Sequence, residues 1–248
     1  MSVSATPSTA PRYVLQADDV AIHYGGVKAL DGVSLTLEKG QIRGLIGPNG
    51  AGKSTVIDAM TGRRRLTRGR VRIQGQDVTE LDVVGRRRLG LSRSFQRTSV
   101  FAQMRVRQQV ELASHKMGVA DSAADADAVL AELDLLSLAE ATAEDLGYGE
   151  QRRLDLALAL VGRPQVLLLD EPMAGLSVKE SHDLAQHLKA LISRWSVSVL
   201  LVEHDMDVVF GISDEITVFE LGRVIASGKP AEVRANPRVR EAYLGSQA

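Results

Sequence analysis

Gly47-Pro48-Asn49-Gly50-Ala51-Gly52-Lys53-Ser54-Thr55 is the stretch that decides how this chain folds. It follows a short apolar run, 42–46, that reads as a strand, and it leads into 56–60, which reads as a helix. The spacing of Gly47, Gly52, Lys53 and Ser54 is that of a phosphate-cradling P-loop. Glycines let the backbone curl until several N–H groups point inward, where a Cβ would obstruct phosphate oxygens. The helix that follows aims its positive dipole end at the same place. Lys53 can reach the outer phosphates, and the Ser54 hydroxyl can ligate Mg2+.

The residues on either side extend this core. Upstream, 14–23 alternates in strand fashion, a turn follows at Gly25-Gly26, and 33–37 is a second strand that turns at Glu38-Lys39-Gly40. Residues 70–74 read as another short strand, so the opening predicts an antiparallel ribbon beside a parallel core. From about 83 to 161 the pattern turns helical; 123–136 is rich in Ala, Leu, Asp and Glu, all but Asp good helix formers. This is the expected helical subdomain, inserted between the first and the later core strands. Beyond Pro164, Val166-Leu167-Leu168-Leu169 is too continuous to be half exposed and reads as a buried parallel strand. A helix over 178–194, a second buried strand over 197–202, a short helix from Asp205, strands over 215–220 and 223–226, and terminal helices near Pro230 and Arg238 complete the chain. Strand–helix alternation with continuous apolar strands predicts an α/β fold with a parallel sheet.

Composition narrows the function classes. A chain of 248 residues holds one large domain, expected over 13–248, with room for the helical insertion. Residues 1–12, rich in Ser, Thr, Ala and Pro without the apolar core of a signal peptide, are expected to be a disordered leader. The net charge of -1 gives no global electrostatic case for nucleic acid or an anionic membrane. The arginine clusters at 63–65, at Arg68 with Arg70, and at 86–88 therefore read as a solvated face or a partner contact. Cysteine is absent, which excludes disulfides and thiolate metal sites. No apolar run approaches the ~20 residues of a spanning helix, so a membrane role must come through a partner.

Chemistry collects where buried strands end. The run 42–46 enters the P-loop, 166–169 ends in Asp170-Glu171-Pro172, and 197–202 ends in Glu203-His204-Asp205. Ligands of open parallel sheets bind outside the carboxyl ends of the strands, so all of these groups are expected around one phosphate site. Asp170 and Glu171, neighbours in an extended segment, should point apart. One can then hold Mg2+ through water while the other addresses a nucleophilic water, as phosphoryl transfer requires. His204, at the end of its strand, is expected to contact the γ-phosphate.

In this order, with Leu146-Gly147-Tyr148-Gly149-Glu150-Gln151 feeding an amphipathic helix, the chain resembles the nucleotide-binding subunits of ATP-binding cassette (ABC) transporters from about residue 14 to 245. The resemblance implies an α/β P-loop NTPase core with a parallel sheet, an N-terminal antiparallel β subdomain and an inserted α-helical subdomain. It implies that Tyr24 stacks on adenine, that 47–55 is the Walker A loop, and that Gln96 senses Mg2+ and the attacking water and links to the membrane subunit. It further makes 146–151 the signature motif, Asp170 and Glu171 the Walker B pair, 174–177 the D-loop and His204 the switch histidine. ATP and Mg2+ are the implied cofactors. Members pair head to tail, so each ATP lies between one chain's Walker A and the signature loop of a second ATP-binding subunit, a copy or a paralogue.

The narrower vocabulary is similar to the branched-chain (hydrophobic) amino acid uptake branch. It comprises Arg93-Ser94-Phe95-Gln96-Arg97-Thr98, Tyr148-Gly149-Glu150-Gln151-Arg152-Arg153-Leu154, Glu203-His204-Asp205-Met206 and Ala242-Tyr243-Leu244-Gly245. That branch implies an importer ATPase on the cytoplasmic face of the plasma membrane. It would be held there by permease subunits and served indirectly by an extracytoplasmic substrate-binding protein, with no nucleic-acid partner. A lipopolysaccharide-export ATPase and urea-type importers share much of the vocabulary. Soluble ABC proteins acting on ribosomes or DNA form a rival class, but they carry two cassettes or long coiled insertions. Gly147 stands where the wider family has Ser, and Ser177 where Asn or Asp is usual. Losing one hydroxyl donor costs about 0.5–1.5 kcal/mol of sandwich stability, so weakened rather than abolished activity is expected.

Overall fold

The computed structural model describes residues 12–94 and 99–241. The leader therefore lies, except for Arg12, outside the described residues, as do Gln96 and the 242–245 tail motif. Strands β1 (Tyr13–Tyr24) and β2 (Val27–Glu38) form a long antiparallel hairpin, and β3 (Ile42–Ile46) follows. Helix α1 (Lys53–Thr61) leaves the P-loop, and β4 (Arg68–Ile73) with β5 (Gln76–Asp77) returns to the hairpin. Then come α2 (Val83–Arg88), β6 (Leu91–Arg93), α3 (Val106–Lys116), α4 (Ser122–Glu132) and α5 (Tyr148–Leu160). Strand β7 (Val166–Asp170), α6 (Val178–Trp195), β8 (Ser198–Val202) and α7 (Met206–Ile212) complete the alternation. The hairpin β9 (Glu215–Glu220) and β10 (Arg223–Gly228) and short helices α8 (Pro230–Ala235) and α9 (Pro237–Val239) close the described chain.

Two sheets result. The first, in order β2-β1-β4-β5, is the antiparallel ribbon expected from the sequence. The second runs β10-β9-β3-β8-β7-β6, parallel from β9 to β6 with β10 antiparallel on the edge. Every residue of β3, β7 and β8 is buried, because both faces of this sheet are covered. Successive side chains alternate between two cores. Leu167, Leu169, Val199 and Leu201 pack with the α3–α5 helices and α6. Val166, Leu168, Leu200 and Val202 pack with α1 and the antiparallel ribbon.

The fold departs from the sequence expectation at β6 and at the 86–88 arginine cluster. The stretch 83–161 is not helical throughout, because β6 extends the parallel sheet beside β7 with Leu91 opposite Val166 and Arg93 opposite Leu168. Its Leu-Ser-Arg sequence is too short to carry a period, and it is held by pairing and by the buried Ser92 hydroxyl donating to the Ala159 carbonyl at 2.6 Å. Nor is the 86–88 arginine cluster a solvated face throughout. Arg86 is buried and donates to the carbonyls of Ala59, Met60, Thr79 and Leu81, closing the C-terminal end of α1 where backbone acceptors lack partners.

Candidate nucleotide site

The sheet order sets β3, β8 and β7 side by side, so their carboxyl ends bring the P-loop, 203–204 and 170–171 together. One open cleft of ≈ 160 Å³ is lined by residues 49–55, Glu171 and His204. Gly52 caps α1 in the left-handed region at φ 105, and a Cβ there would come within 2.9 Å of the Ala29 carbonyl. No side chain caps α1, so its first-turn N–H groups face the cleft mouth as an anion site. Lys53 is buried and donates from Nζ to the carbonyls of Gly47 at 2.6 Å and Pro48 at 3.0 Å. Burial lowers its pKa, against the pull of Glu171 and Asp170. An ammonium resting on neutral carbonyls gains more from a phosphate.

Asp170 ends β7 as a buried carboxylate. Its Oδ1 accepts from the Ser54 hydroxyl at 3.3 Å and its Oδ2 from Arg93 Nη2 at 3.0 Å. Burial raises its pKa, Arg93 opposes the rise and Glu171 adds to it. Glu171 is not extended as the sequence reading supposed: it turns left-handed at φ 52. Its N–H donates to the Val202 carbonyl at 2.8 Å, and its own carbonyl accepts from Arg152 Nη2 at 2.6 Å. The two acidic side chains still point apart, Glu171 Oε1 lying 2.6 Å from His204 Nε2. The groups assigned to water and to phosphate are thus hydrogen-bonded to each other. Glu203, given no role from the sequence, is buried and accepts the N–H groups of Met173 at 2.7 Å and His204 at 3.1 Å.

Asp170 and Ser54 offer two hard oxygen donors beside the phosphate cradle. Among the described residues no group of three or more His, Cys, Asp or Glu could hold a metal by itself. That donor set fits a Mg2+ that keeps waters and phosphate oxygens in its shell, rather than a protein-only cage.

The residues of the 146–151 motif lie elsewhere on the chain. Gly147 precedes α5, and its N–H donates to the Glu150 carboxylate at 2.8 Å. The Tyr148 hydroxyl donates to the Ala174 carbonyl at 3.0 Å, laying the ring on Gly175. Gly149 meets Glu180 of α6 so closely that a Cβ would lie 2.4 Å from Oε1. Ser177 caps α6 reciprocally with Glu180, which gives this serine a structural task. Gly147, Gly149 and Glu150 line a separate cavity of ≈ 340 Å³, away from the P-loop cleft. Tyr24 is half exposed at the end of β1 with the Arg64 guanidinium 5.9 Å from its ring centre, and it does not line the cleft.

Sequence reasoning placed Arg93 and Arg152 in the branch motifs but gave neither a role at the site. Arg93 ends β6 beside Asp170, and Arg152 reaches from α5 to the Pro172 carbonyl at 2.7 Å as well as to that of Glu171. The available signal was the Arg-Arg pair inside an otherwise amphipathic α5, which leaves Arg152 on the buried side.

The ABC transporter family model matches residues 30–174, and the model of the branched-chain amino acid ATP-binding cassette transporter matches 223–248. The chain is 38% identical to the high-affinity branched-chain amino acid transport ATP-binding protein BraF of Pseudomonas aeruginosa, over 94% of this chain and 98% of the relative. It is 37% identical to LivG of Escherichia coli, with the same coverage and the same described role. Among solved structures, the ADP conformation of MJ1267, an ATP-binding cassette of an ABC transporter, superposes with a TM-score of 0.86 at 29% identity, covering 94% of this chain and 99% of that one. The dimeric bacterial ABC transporter cassette MJ0796 gives 0.77 at 25% identity, over 87% and 98%.

Proposed function

The chain belongs to the ABC transporter family, and from that premise we propose that it hydrolyses ATP to power uptake of branched-chain or other hydrophobic amino acids through a separate permease. The observation that carries the reading is the single cleft in which the P-loop faces Glu171 and His204. The cargo is supported by the likeness to BraF and LivG and by the branched-chain family match over 223–248.

Phosphates of ATP would take the N–H groups at the start of α1 and draw Lys53 from the Gly47 and Pro48 carbonyls. Tyr24 is the adenine platform of this reading, and Gln96 its link from the site to the permease. A bound Mg2+, held by Ser54 and by Asp170 through water, would neutralise charge on the phosphates. Glu171, fixed by His204 and by Arg152 at its carbonyl, orients a water for in-line attack on the γ-phosphorus. The bond to the β-phosphate oxygen breaks and the water's proton passes to the Glu171–His204 pair. Gly147, Tyr148, Gly149 and Glu150 complete the site of a second ATP-binding subunit. No helix among the described residues is long and apolar enough to cross a membrane; in this reading the chain is held at the cytoplasmic face by its permease, as the likeness to BraF and LivG suggests.

The test pairs ATP binding with turnover and uptake. Glu171→Gln should bind ATP yet lose about 100-fold or more of its hydrolysis, as removal of a general base does. Lys53→Ala should lose nucleotide affinity. Co-expressed with its permease and binding protein, the chain should support leucine, isoleucine or valine uptake that vanishes with Lys53→Ala. Wild-type turnover in Glu171→Gln would overturn the catalytic assignment, and hydrolysis without any such uptake would overturn the cargo.

A further inference from the structure

Arg93 is the last residue of β6, and its side chain is 10% exposed. One arm of its guanidinium, Nη1, lies 2.5 Å from Asp58 Oδ1, and the other, Nη2, lies 3.0 Å from Asp170 Oδ2. Asp58 stands on α1 one turn beyond Ser54, so the fork spans from the P-loop helix to the end of β7. Asp170 is thereby divided: Oδ2 is committed to Arg93, and Oδ1 turns to the Ser54 hydroxyl at 3.3 Å.

We infer that Arg93 is a positioning residue that holds the Asp170 carboxylate against α1, so that Oδ1 and Ser54 together face the Mg2+ carried by the nucleotide. The inference rests on the ATPase reading above and deepens it. Asp170 sits at a strand end where backbone pairing fixes its Cα but not its side-chain torsions. Its side chain is only 6% exposed, so water cannot substitute for the fork. A rigid planar guanidinium can engage two carboxylates at once with separate nitrogens, which a lysine ammonium on a flexible stem does less well. Removing a partner that orients a metal ligand in this way typically costs about 10–100-fold in metal affinity or activity. Asp58 is the anchor: without it the guanidinium would follow Asp170 instead of fixing it.

The measurement is the affinity for ATP in EDTA and in Mg2+, taken by equilibrium binding in the Glu171→Gln background, with kcat measured in the otherwise unsubstituted chain. Arg93→Gln should keep its affinity in EDTA within about twofold while its gain from Mg2+ shrinks about tenfold, and kcat should fall about 10–100-fold. Arg93→Lys should lie between Gln and the parent. Should Arg93→Gln not fold, Asp58→Asn, which leaves Arg93 and Asp170 in place, should show a smaller loss of the same kind. A full Mg2+ gain in whichever of these variants folds, or an equal loss of affinity in EDTA and Mg2+, would overturn the inference while leaving the ATPase reading intact. No Mg2+-dependent ATP hydrolysis by the unsubstituted chain would overturn both.

Discussion

Glu203 carries a consequence for stability that follows from its surroundings alone. Its carboxyl is buried just beyond β8, and burial raises its pKa above the ordinary 4.5, against the N–H donors of Met173 and His204. A folded pKa above the unfolded one gives a contribution that is fully present below the unfolded value and is lost as pH rises through the folded value. Glu203 should therefore pull urea midpoints downward as pH climbs from about 4, and the pH dependence of the Glu203→Gln variant should differ from the parent's by the loss of that downward contribution, whatever its absolute stability. The same pH dependence in parent and variant would show that Glu203 makes no such contribution. The contrast with Lys53 explains what could be read in advance. Lys53, Ser54, Asp170 and His204 owe their places to the backbone beside them, a loop or a strand end, and such local chemistry is written in consecutive letters. Arg93 and Glu203 owe theirs to partners across the sheet, Asp170 at a separation of 77 residues and Met173 at 30, which no local pattern reports.

At the scale of elements, α5 does more than follow the 146–151 loop. Arg152, buried on its first turns, donates to the carbonyls of Glu171 and Pro172, and the Tyr148 hydroxyl donates to Ala174, so one helix end holds the whole turn after β7. A non-glycine residue at φ 52 adopts a costly conformation that surrounding contacts can hold in place. Glu171 has such surroundings in Val202, Arg152 and His204. Arg152→Gln should therefore lower kcat about tenfold, the equivalent of about 1.4 kcal/mol, with ATP affinity little changed. Arg152→Lys should recover part of the loss; affinity and turnover falling together would argue for general unfolding instead. The long elements were legible because burial on both faces leaves continuous apolar runs, as in β7 and β8, and because α6 has both periodicity and a Ser177–Glu180 cap. Strand β6 was not, since three residues held by pairing and by one buried serine carry no period.

At the scale of the molecule, the P-loop cleft and the cavity lined by Gly147, Gly149 and Glu150 are separate, so under the proposed head-to-tail pairing the 146–151 loop would serve the nucleotide of another chain. Gly147 makes this testable without disturbing the fold. Its backbone, at φ -63 and ψ 160, suits any L-residue, and a Cβ would meet only Glu150 Oε2 at 3.5 Å. As the N-cap of α5 it would accept Ser or Asp with about 1 kcal/mol or less of change, and that change favourable to the single chain. Across a dimer the two substitutions should diverge. Gly147→Ser adds a hydroxyl donor and should strengthen the ATP-bound sandwich by about 0.5–1.5 kcal/mol. In the proposed head-to-tail pairing Gly147→Asp would place a carboxylate against the partner's γ-phosphate, and like charges at close range oppose association. In the Glu171→Gln background, size-exclusion chromatography with ATP should show dimers for the parent, more for Gly147→Ser and monomers for Gly147→Asp. ATP affinity of the dilute monomer and its urea midpoint should be preserved or raised throughout. Dimers of Gly147→Asp as stable as the parent's would mean that the signature loop does not meet the partner's nucleotide, and the head-to-tail arrangement would have to be given up.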